Sequence, residues 1–555
     1  MNLERLVSSL SIEEKVGQVL MIGIPSSELD STTRMMIREF RPGGVILYRR
    51  NIEGPDQLRA LIKDLQAAAA RSGAGIGLLV AVDQEGGTAI QLWESEVPVP
   101  PGAHAIAAAS SEDARGREEL AYQVAFASGR DIKTFGVNMN LAPVLDVNSN
   151  PENPVIGVRS FGADPCLVAT LGAAMARGFK DAGILCCGKH FPGHGDTRLD
   201  SHLDLPVVPH DRQRLDAVEL VPFRHAIAAG IDAIMTAHVA FPAIERDLEV
   251  PATLSAAVVS GLLKGELEFP GVALSDLMSM KAIADRYEAG EAAVRAVAAG
   301  IDVLLTADDQ RLQRVTRDAL LSALASGRLN AARLDDAVRR ILSLKLRAGL
   351  VPLSSGQPGI GYAARTREPG KPAESRGTAE VEAHSQLFAE VHRKAITVVR
   401  DMNGALPLRV PEASLVGVVF IAHEDELHQQ RWKSAREVLL GEFRRRHPLC
   451  VEMTARSADL ESVKARAEAL VIVFCTRRDL TPEEVDMARS LASSGKPVIG
   501  LGLFNPFIIR HVPEMACFLA AYDYSSEAVK AAVGAVFGEF EAKGVFPAEI
   551  GANWR

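Results

Sequence analysis

Five segments of this chain gather side chains able to move protons, attack carbon or hold a polyol. They are Asp83-Gln-Glu-Gly-Gly87, Asn153 to Gly162 with Arg159, Lys189-His-Phe-Pro-Gly-His-Gly-Asp-Thr-Arg-Leu-Asp-Ser-His202, Thr236-Ala-His238, and Ser275-Asp276. Singly, each has an ordinary explanation. An Asp at a strand end caps the next helix, a lone His is a hydrogen-bonded packing residue, and Arg159 could pair with Asp146. Gly86, Gly87, Gly193 and Gly195 read as tight turns, since no Gly-Lys-Ser/Thr follows to make a phosphate cradle.

Together they weigh differently, because burying so many ionisable groups is expensive unless they pair with each other or with a polar ligand. Three chemistries could use the set. A metal could draw on His190, His194, His202, His238, Asp200 and Asp276, but His-x3-His in a glycine-bearing loop does not fix two imidazoles on one face as a helix would. Ser201 or Ser275 could act as a nucleophile, but no Gly-x-Ser-x-Gly elbow is present. Glycosyl transfer suits the set best: a carboxylate for the anomeric carbon, a separate proton donor for the leaving oxygen, and Asp, Arg, Lys and His around a polyhydroxylated ring. No metal or other cofactor is expected.

The elements that must position these groups are eight short apolar runs separated by helix-length stretches: Val19–Ile24, Gly44–Tyr48, Leu78–Asp83, Val137–Ala142, Ile184–His190, Ile231–Ala237, Val272–Asp276 and Ile301–Thr306. Eight nearly continuous apolar runs predict a parallel (β/α)8 TIM-type barrel, whose working residues sit after the strands. The five polar segments follow strands three to seven. Ser11 and Glu14 have capping-box spacing for a first helix, and Leu334–Leu350 is amphipathic. Residues 1–350 are thus read as the barrel. Residues 351–380 have linker composition. Residues 381–555 alternate apolar runs (Ile396–Val399, Leu415–Ile421, Leu470–Cys475, Pro497–Gly502, Ala516–Ala521) with helical patterns such as Thr481–Ser494, which predicts a second α/β domain with an open sheet.

Composition excludes several classes. The 555 residues are 47% hydrophobic and 24% charged, ordinary for a globular chain and too apolar for long disorder. With 61 Lys+Arg against 70 Asp+Glu the net charge is −9, and there is no basic run for nucleic acid or anionic lipid. No apolar stretch approaches the ~18–20 residues of a membrane span, and Met1 to Gly23 does not read as an export signal. A cytoplasmic protein acting on a small carbohydrate is the expectation. The six cysteines show no CxxC spacing and read as buried thiols in a reducing compartment.

The segment Lys189 to His202 resembles the signature of the β-N-acetylhexosaminidase branch of glycoside hydrolase family 3. It is accompanied in order by Asp83 to Gly87, Ala142-Pro-Val-Leu-Asp-Val147, Asn153 to Gly162, Met235 to His238, Pro251-Ala-Thr-Leu-Ser255 and Ser275-Asp276. The second half resembles the αβα sandwich domain of that family through Ile396 to Asp401, Asn403 to Leu408, Lys496-Pro-Val-Ile, Asn505-Pro-Phe and Phe537-Gly-Glu. The resemblance implies a retaining exo-β-N-acetylglucosaminidase acting on muropeptide or chitin fragments. It implies Asp276 as nucleophile, His202 as general acid/base, Asp200 hydrogen-bonded to His202, and Asp83, Arg159, Lys189 and His190 on sugar hydroxyls. An imidazole titrating near ~6.5 suits both proton steps, and an extended loop would point residues 200 and 202 to one side. Three positions depart from the family pattern: Thr88 and Leu277, where Arg and a second acid are usual, and Val158 beside the arginine. They leave open a phosphorylase, and a sugar-binding protein without turnover. The glucosidase branch would take its acid from a second-domain glutamate, and Asp200-Ser-His202 argues against it.

Overall fold

The computed structural model describes residues 3–109, 114–351, 377–422, 429–454, 460–477 and 479–547. Eight parallel strands close a barrel: β1 Leu20–Gly23, β2 Gly44–Leu47, β3 Leu79–Val82, β4 Met139–Asn140, β5 Leu185–Phe191, β6 Ala233–Thr236, β7 Val272–Leu277 and β8 Val303–Thr306. Closure is parallel, with Met21 opposite Gly44 on one side and Leu305 on the other. These strands are apolar because helices cover the outside and side chains fill the inside; β1, β2, β3, β6 and β8 are buried at every position. The Ser11 capping box forms, with the Glu14 N–H donating to Ser11 Oγ (3.2 Å) and the Ser11 N–H to Glu14 (2.9 Å). Asp30, Asp164, Asp211 and Asp309 cap later helices, so many aspartates of this chain have the ordinary role.

A second sheet has the order β11-β10-β12-β13-β14-β9, from β9 Thr397–Asp401, β10 Val416–Ala422, β11 Cys450–Thr454, β12 Ala469–Cys475, β13 Val498–Gly502 and β14 Cys517–Ala520. Only β9 is antiparallel to its neighbour. Successive residues of the central strands enter opposite apolar layers. Val418, Phe420, Val471 and Val473 join one, while Val419, Ile421, Ile472 and Phe474 join the other. The sheet is therefore covered on both faces, as in an αβα sandwich. The second layer also takes in Ala105, Ala108 and Val158 of the barrel.

Of the linker expected over 351–380, residues 352–376 lie outside the described residues, and the chain is helical from Thr378 to Ala395. That helix buries Phe388 and Val391 in the barrel cluster, and His384 Nδ1 bonds Asp131 at 2.5 Å. Among the described residues no helix is long and apolar enough to cross a membrane. Among the described residues no cysteine is in a disulfide, and five of the six are buried; Cys166 is exposed at the start of its helix, contrary to the core position expected of it.

Candidate active site

The loops at the carboxyl ends of the barrel strands meet around a cavity of about 280 Å³. Past β3, Asp83 and Glu85 face Lys189 of β5 and Arg159 of the β4 loop. Lys189 Nζ lies 2.6 Å from Asp83 and 2.7 Å from Glu85, and Arg159 holds both oxygens of Glu85 at 2.7 and 2.8 Å. Burial works to raise the Glu85 pKa, but Arg159 and Lys189 outweigh it and hold the carboxyl far below its usual range. Burial likewise opposes the Lys189 charge, and Asp83 and Glu85 overcome it and keep the ammonium protonated. Arg159 thus pairs with Glu85 and not with Asp146. Asp146 is saturated elsewhere: its carboxylate accepts from His190 Nδ1 (2.7 Å), the His190 N–H (3.2 Å) and the His194 N–H (2.6 Å).

The long β5 loop carries the proposed acid/base. His202 Nδ1 and the His202 N–H both bond Asp200 Oδ1, at 2.7 and 2.8 Å. The loop turns at Asp200 instead of running extended, so the pair forms because one carboxylate oxygen caps the turn and fixes the ring together. Burial pushes the Asp200 pKa up, but the hydrogen bonds from His202 and the nearby Arg477 charge bring it down to about 2. An ionised Asp200 accepts the Nδ1 proton, which leaves Nε2 to exchange protons with a ligand. His202 is the exposed member, its side chain 55% accessible against 9% for Asp200. Behind them His194 bonds Thr197 and Ser201, each at 2.9 Å; burial lowers its pKa to about 4, so it is a neutral scaffold.

Asp276, half-buried, follows the buried part of β7 and lines the same cavity. Burial raises its pKa, but His238, His190 and the Leu277 N–H (2.7 Å) prevail, and the carboxylate stays ionised. His238 Nε2 donates to the Leu277 carbonyl at 3.1 Å, fixing the backbone beside Asp276. An ionised carboxylate and an imidazole poised for proton exchange thus share one cavity with the Asp83–Glu85–Arg159–Lys189 cage and His190. The arrangement can attack a carbon, protonate its leaving oxygen and hold hydroxyl groups.

All seven residues singled out from the sequence come together here: Asp83, Arg159, Lys189, His190 and His202 line the cavity with Asp276, and Asp200 backs His202. The six-residue metal set does not assemble. His190 is bonded to Asp146, His194 to Thr197 and Ser201, His202 to Asp200, and His238 to Thr253 and the Leu277 carbonyl. Among the described residues the one cluster of possible ligand atoms within 4.8 Å of one another is Asp196, His210 and Glu219, where Arg214 pairs with Glu219 at 3.2 Å and His210 with Asp196 at 2.5 Å. Ser275 Oγ is buried and accepts from the Leu305 N–H, which removes it as a nucleophile.

Sequence reasoning missed the bridging roles of Glu85 and Asp146, although both lie inside segments it had selected. It also missed the contribution of the second sheet domain. Arg431, Arg477 and Phe504 line the cavity, and among the described residues no carboxylate of that domain does. Arg431 Nη1 donates to the Gly87 carbonyl at 2.7 Å. Gly86 and Gly87 have φ of +100° and +57°, and a Cβ on Gly87 would lie 2.9 Å from Gly102 Cα, so this turn needs glycine to pack against the barrel's own backbone at Gly102. Val158 is buried in the shared apolar layer, which accounts for an aliphatic residue there.

A model of the glycosyl hydrolase family 3 N-terminal domain matches residues 11–344. Beta-hexosaminidase A of Pseudoalteromonas piscicida is 35% identical over 391 residues, 67% of this chain and 62% of that protein, so the match leaves more than a third of the relative uncovered. A beta-hexosaminidase of Pseudomonas aeruginosa is 36% identical over 308 residues, 55% of this chain and 86% of its own. Among solved structures, a glycoside hydrolase family 3 beta-N-acetylglucosaminidase from Paenibacillus sp. str. FPU-7 superposes with a TM-score of 0.85 at 36% identity, covering 98% of this chain and 99% of that one.

Proposed function

Since this chain belongs to glycoside hydrolase family 3, we propose that it is a retaining exo-β-N-acetylglucosaminidase that removes terminal β-linked N-acetylglucosamine by double displacement. The observation that carries this reading is the shared cavity of Asp276 and His202, the latter held by Asp200. In the first step Asp276 attacks the anomeric carbon while His202 Nε2 gives its proton to the leaving oxygen. In the second, His202 takes a proton from water, the water oxygen displaces Asp276, and the sugar leaves with its original configuration. Asp83, Arg159, Lys189 and His190 hold the sugar hydroxyls, and the ionised Asp200 stabilises the imidazolium formed in the second step. The names of the beta-hexosaminidases and of the Paenibacillus enzyme support the acetamido sugar as substrate.

The substrates are muropeptide or chitin-type fragments, and the compartment is the cytoplasm, a reading supported by six cysteines without a disulfide. Incubation with 4-nitrophenyl β-N-acetylglucosaminide tests the activity. Release of phenol and free sugar, independent of phosphate, is expected; binding without release, or sugar 1-phosphate as the main product, would refute it. Recovery of the native protein outside the cell would overturn the compartment and, with it, a role in recycling wall fragments.

A further inference from the structure

The mechanism gives the cavity a direction. Asp276 meets the anomeric carbon and His202 the leaving oxygen, so the non-reducing end of the sugar points the other way, toward Asp83. The last residues of β2 and β3, Leu47 and Val82, are paired, and Tyr48 and Asp83 follow them side by side. Tyr48 and Arg49 therefore stand at this end, where they line the cavity with Gln91 and Trp93 of the β3 loop.

The end is braced from behind. Buried Gln84 fixes the loop: its Oε1 accepts from the Gln91 and Leu92 N–H groups and its Nε2 donates to the Leu92 carbonyl, all at 3.0 Å. Gln91 Oε1 in turn accepts from the Arg49 N–H at 2.6 Å. The Arg49 guanidinium lies over the Trp93 indole, 4.1 Å from the ring centre, and donates to Glu96 at 2.8 Å. The Glu96 side chain is only 1% accessible and also accepts from the Trp93 N–H at 2.8 Å. Arg49 therefore cannot swing aside without stranding a buried carboxylate. Because Glu96 neutralises it, Arg49 brings bulk and stiffness to the cavity rather than a free charge. Next to the stack, Arg50 lies over the Tyr48 ring at 4.6 Å and pairs with Asp308 beyond β8 at 3.1 Å, which ties this wall to the far side of the barrel seam.

We propose that the Arg49–Trp93 stack is the stop that confines cleavage to the terminal residue of a chain, by filling the space into which a sugar joined to the 4-hydroxyl would continue. The ligand class it excludes is the 4-substituted N-acetylglucosamine. A cation over an aromatic face, locked by an ion pair behind it, is a wall that does not yield as a loose side chain would. The loops after β2 and β3 then set where a chain is cut, while the β5 loop and β7 do the cutting. This inference rests on the glycosidase reading above.

The test compares kcat/KM for 4-nitrophenyl β-N-acetylglucosaminide with that for its 4-O-methyl ether. A methyl group pressed on a filled, stiff wall should cost the wild type about 10- to 200-fold, and a ratio within about threefold of unity overturns the stop. Trp93→Ala should recover about tenfold or more of that ratio. So should Arg49→Ala combined with Glu96→Gln, which leaves no buried carboxylate unpaired. Trp93 is half-buried, so Trp93→Leu is expected to fold and should recover part of the ratio. A merely structural role would slow both substrates alike, and a ratio unchanged in the Trp93 variants overturns the stop. With 4-nitrophenyl N,N′-diacetylchitobioside the wild type should release N-acetylglucosamine first and phenol after a lag, whereas Trp93→Ala should also release the disaccharide directly. Absence of phenol release from the unblocked substrate by the wild type would instead strike the glycosidase reading. Calorimetry of N-acetylglucosamine against its 4-O-methyl ether then decides the stop, and equal affinities would overturn it.

Discussion

Replacing Asp200 by Asn separates the charge of the acid/base pair from its shape. Asp200 Oδ1 accepts both the His202 ring proton and the His202 backbone N–H, at 2.7 and 2.8 Å, and its carboxyl is held down to about 2, so it is ionised throughout the neutral range. An asparagine with its carbonyl turned toward His202 keeps both bonds but loses the charge. A hydrogen bond to a charged group contributes about 1.5–3 kcal/mol and a neutral one about 0.5–1.5, so the imidazolium of the second step should lose about 1–2 kcal/mol. At 1.36 kcal/mol per decade this slows the second step about 5- to 30-fold. If the amide flips and offers its NH₂ to Nδ1, the ring takes the wrong tautomer and the loss grows to the ~10²–10⁴ of general acid–base catalysis. Stopped-flow measurement on a nitrophenyl substrate reads the steps apart: a burst of phenol with a slow steady state is expected. Steady-state turnover equal to wild type on both aryl and disaccharide substrates, with the variant folded, would refute the pairing argument.

Other consequences follow from particular residues. His202→Ala should lose most activity on sugar leaving groups and regain turnover of the nitrophenyl substrate in azide, giving the β-glycosyl azide; the α-anomer in the product spectrum would contradict the two inversions. Glu85→Gln removes a buried charge that holds both Arg159 and Lys189, so a loss of about 3–5 kcal/mol is expected, read as a fall in Tm with a rise in KM; an unchanged melt would show that the cage does not need its central acid. Lys345 is buried at the far end of the barrel, donates to Gln18 (2.8 Å) and the Gly77 carbonyl (2.7 Å), and burial lowers its pKa to about 7. Between about pH 7 and the unfolded value near 10.4 the unfolded chain carries a proton that the folded one lacks, so Lys345 makes stability rise with pH across that window. In Lys345→Met this part of the slope should vanish, and a wild-type and variant Tm difference that is constant from pH 7 to 10 would count against it.

The sequence made the barrel legible because parallel strands covered on both faces are apolar throughout, and each polar segment follows one of them. The second sheet was less complete. Its edge strand β11 went unseen because Leu449 and Val451 are 45% and 37% exposed and the run Cys450–Thr454 is mixed in polarity. At the site, residue types were readable but partners were not. Asp146 was the one partner the sequence suggested for Arg159, and only the fold shows that His190 and His194 occupy Asp146 and leave Glu85, 74 residues away, for the arginine. The Asp200–His202 pair was implied by the family resemblance and agreed with its spacing, yet its cause is a turn capped by the carboxylate rather than an extended strand. Arg431, Arg477 and Phe504 carried no local signal, since they reach the cavity only through the docking of one domain on the other.

The central claim is that Asp276 forms a covalent bond to the sugar. A 5-fluoro N-acetylglucosaminyl fluoride, whose activated leaving group departs readily while its ring fluorine slows release, should accumulate the glycosyl-enzyme. Mass spectrometry of a proteolytic digest should then find the added sugar on the peptide containing Asp276, with no adduct in Asp276→Ala. An adduct on a different carboxylate, or normal turnover by Asp276→Ala, would contradict the account.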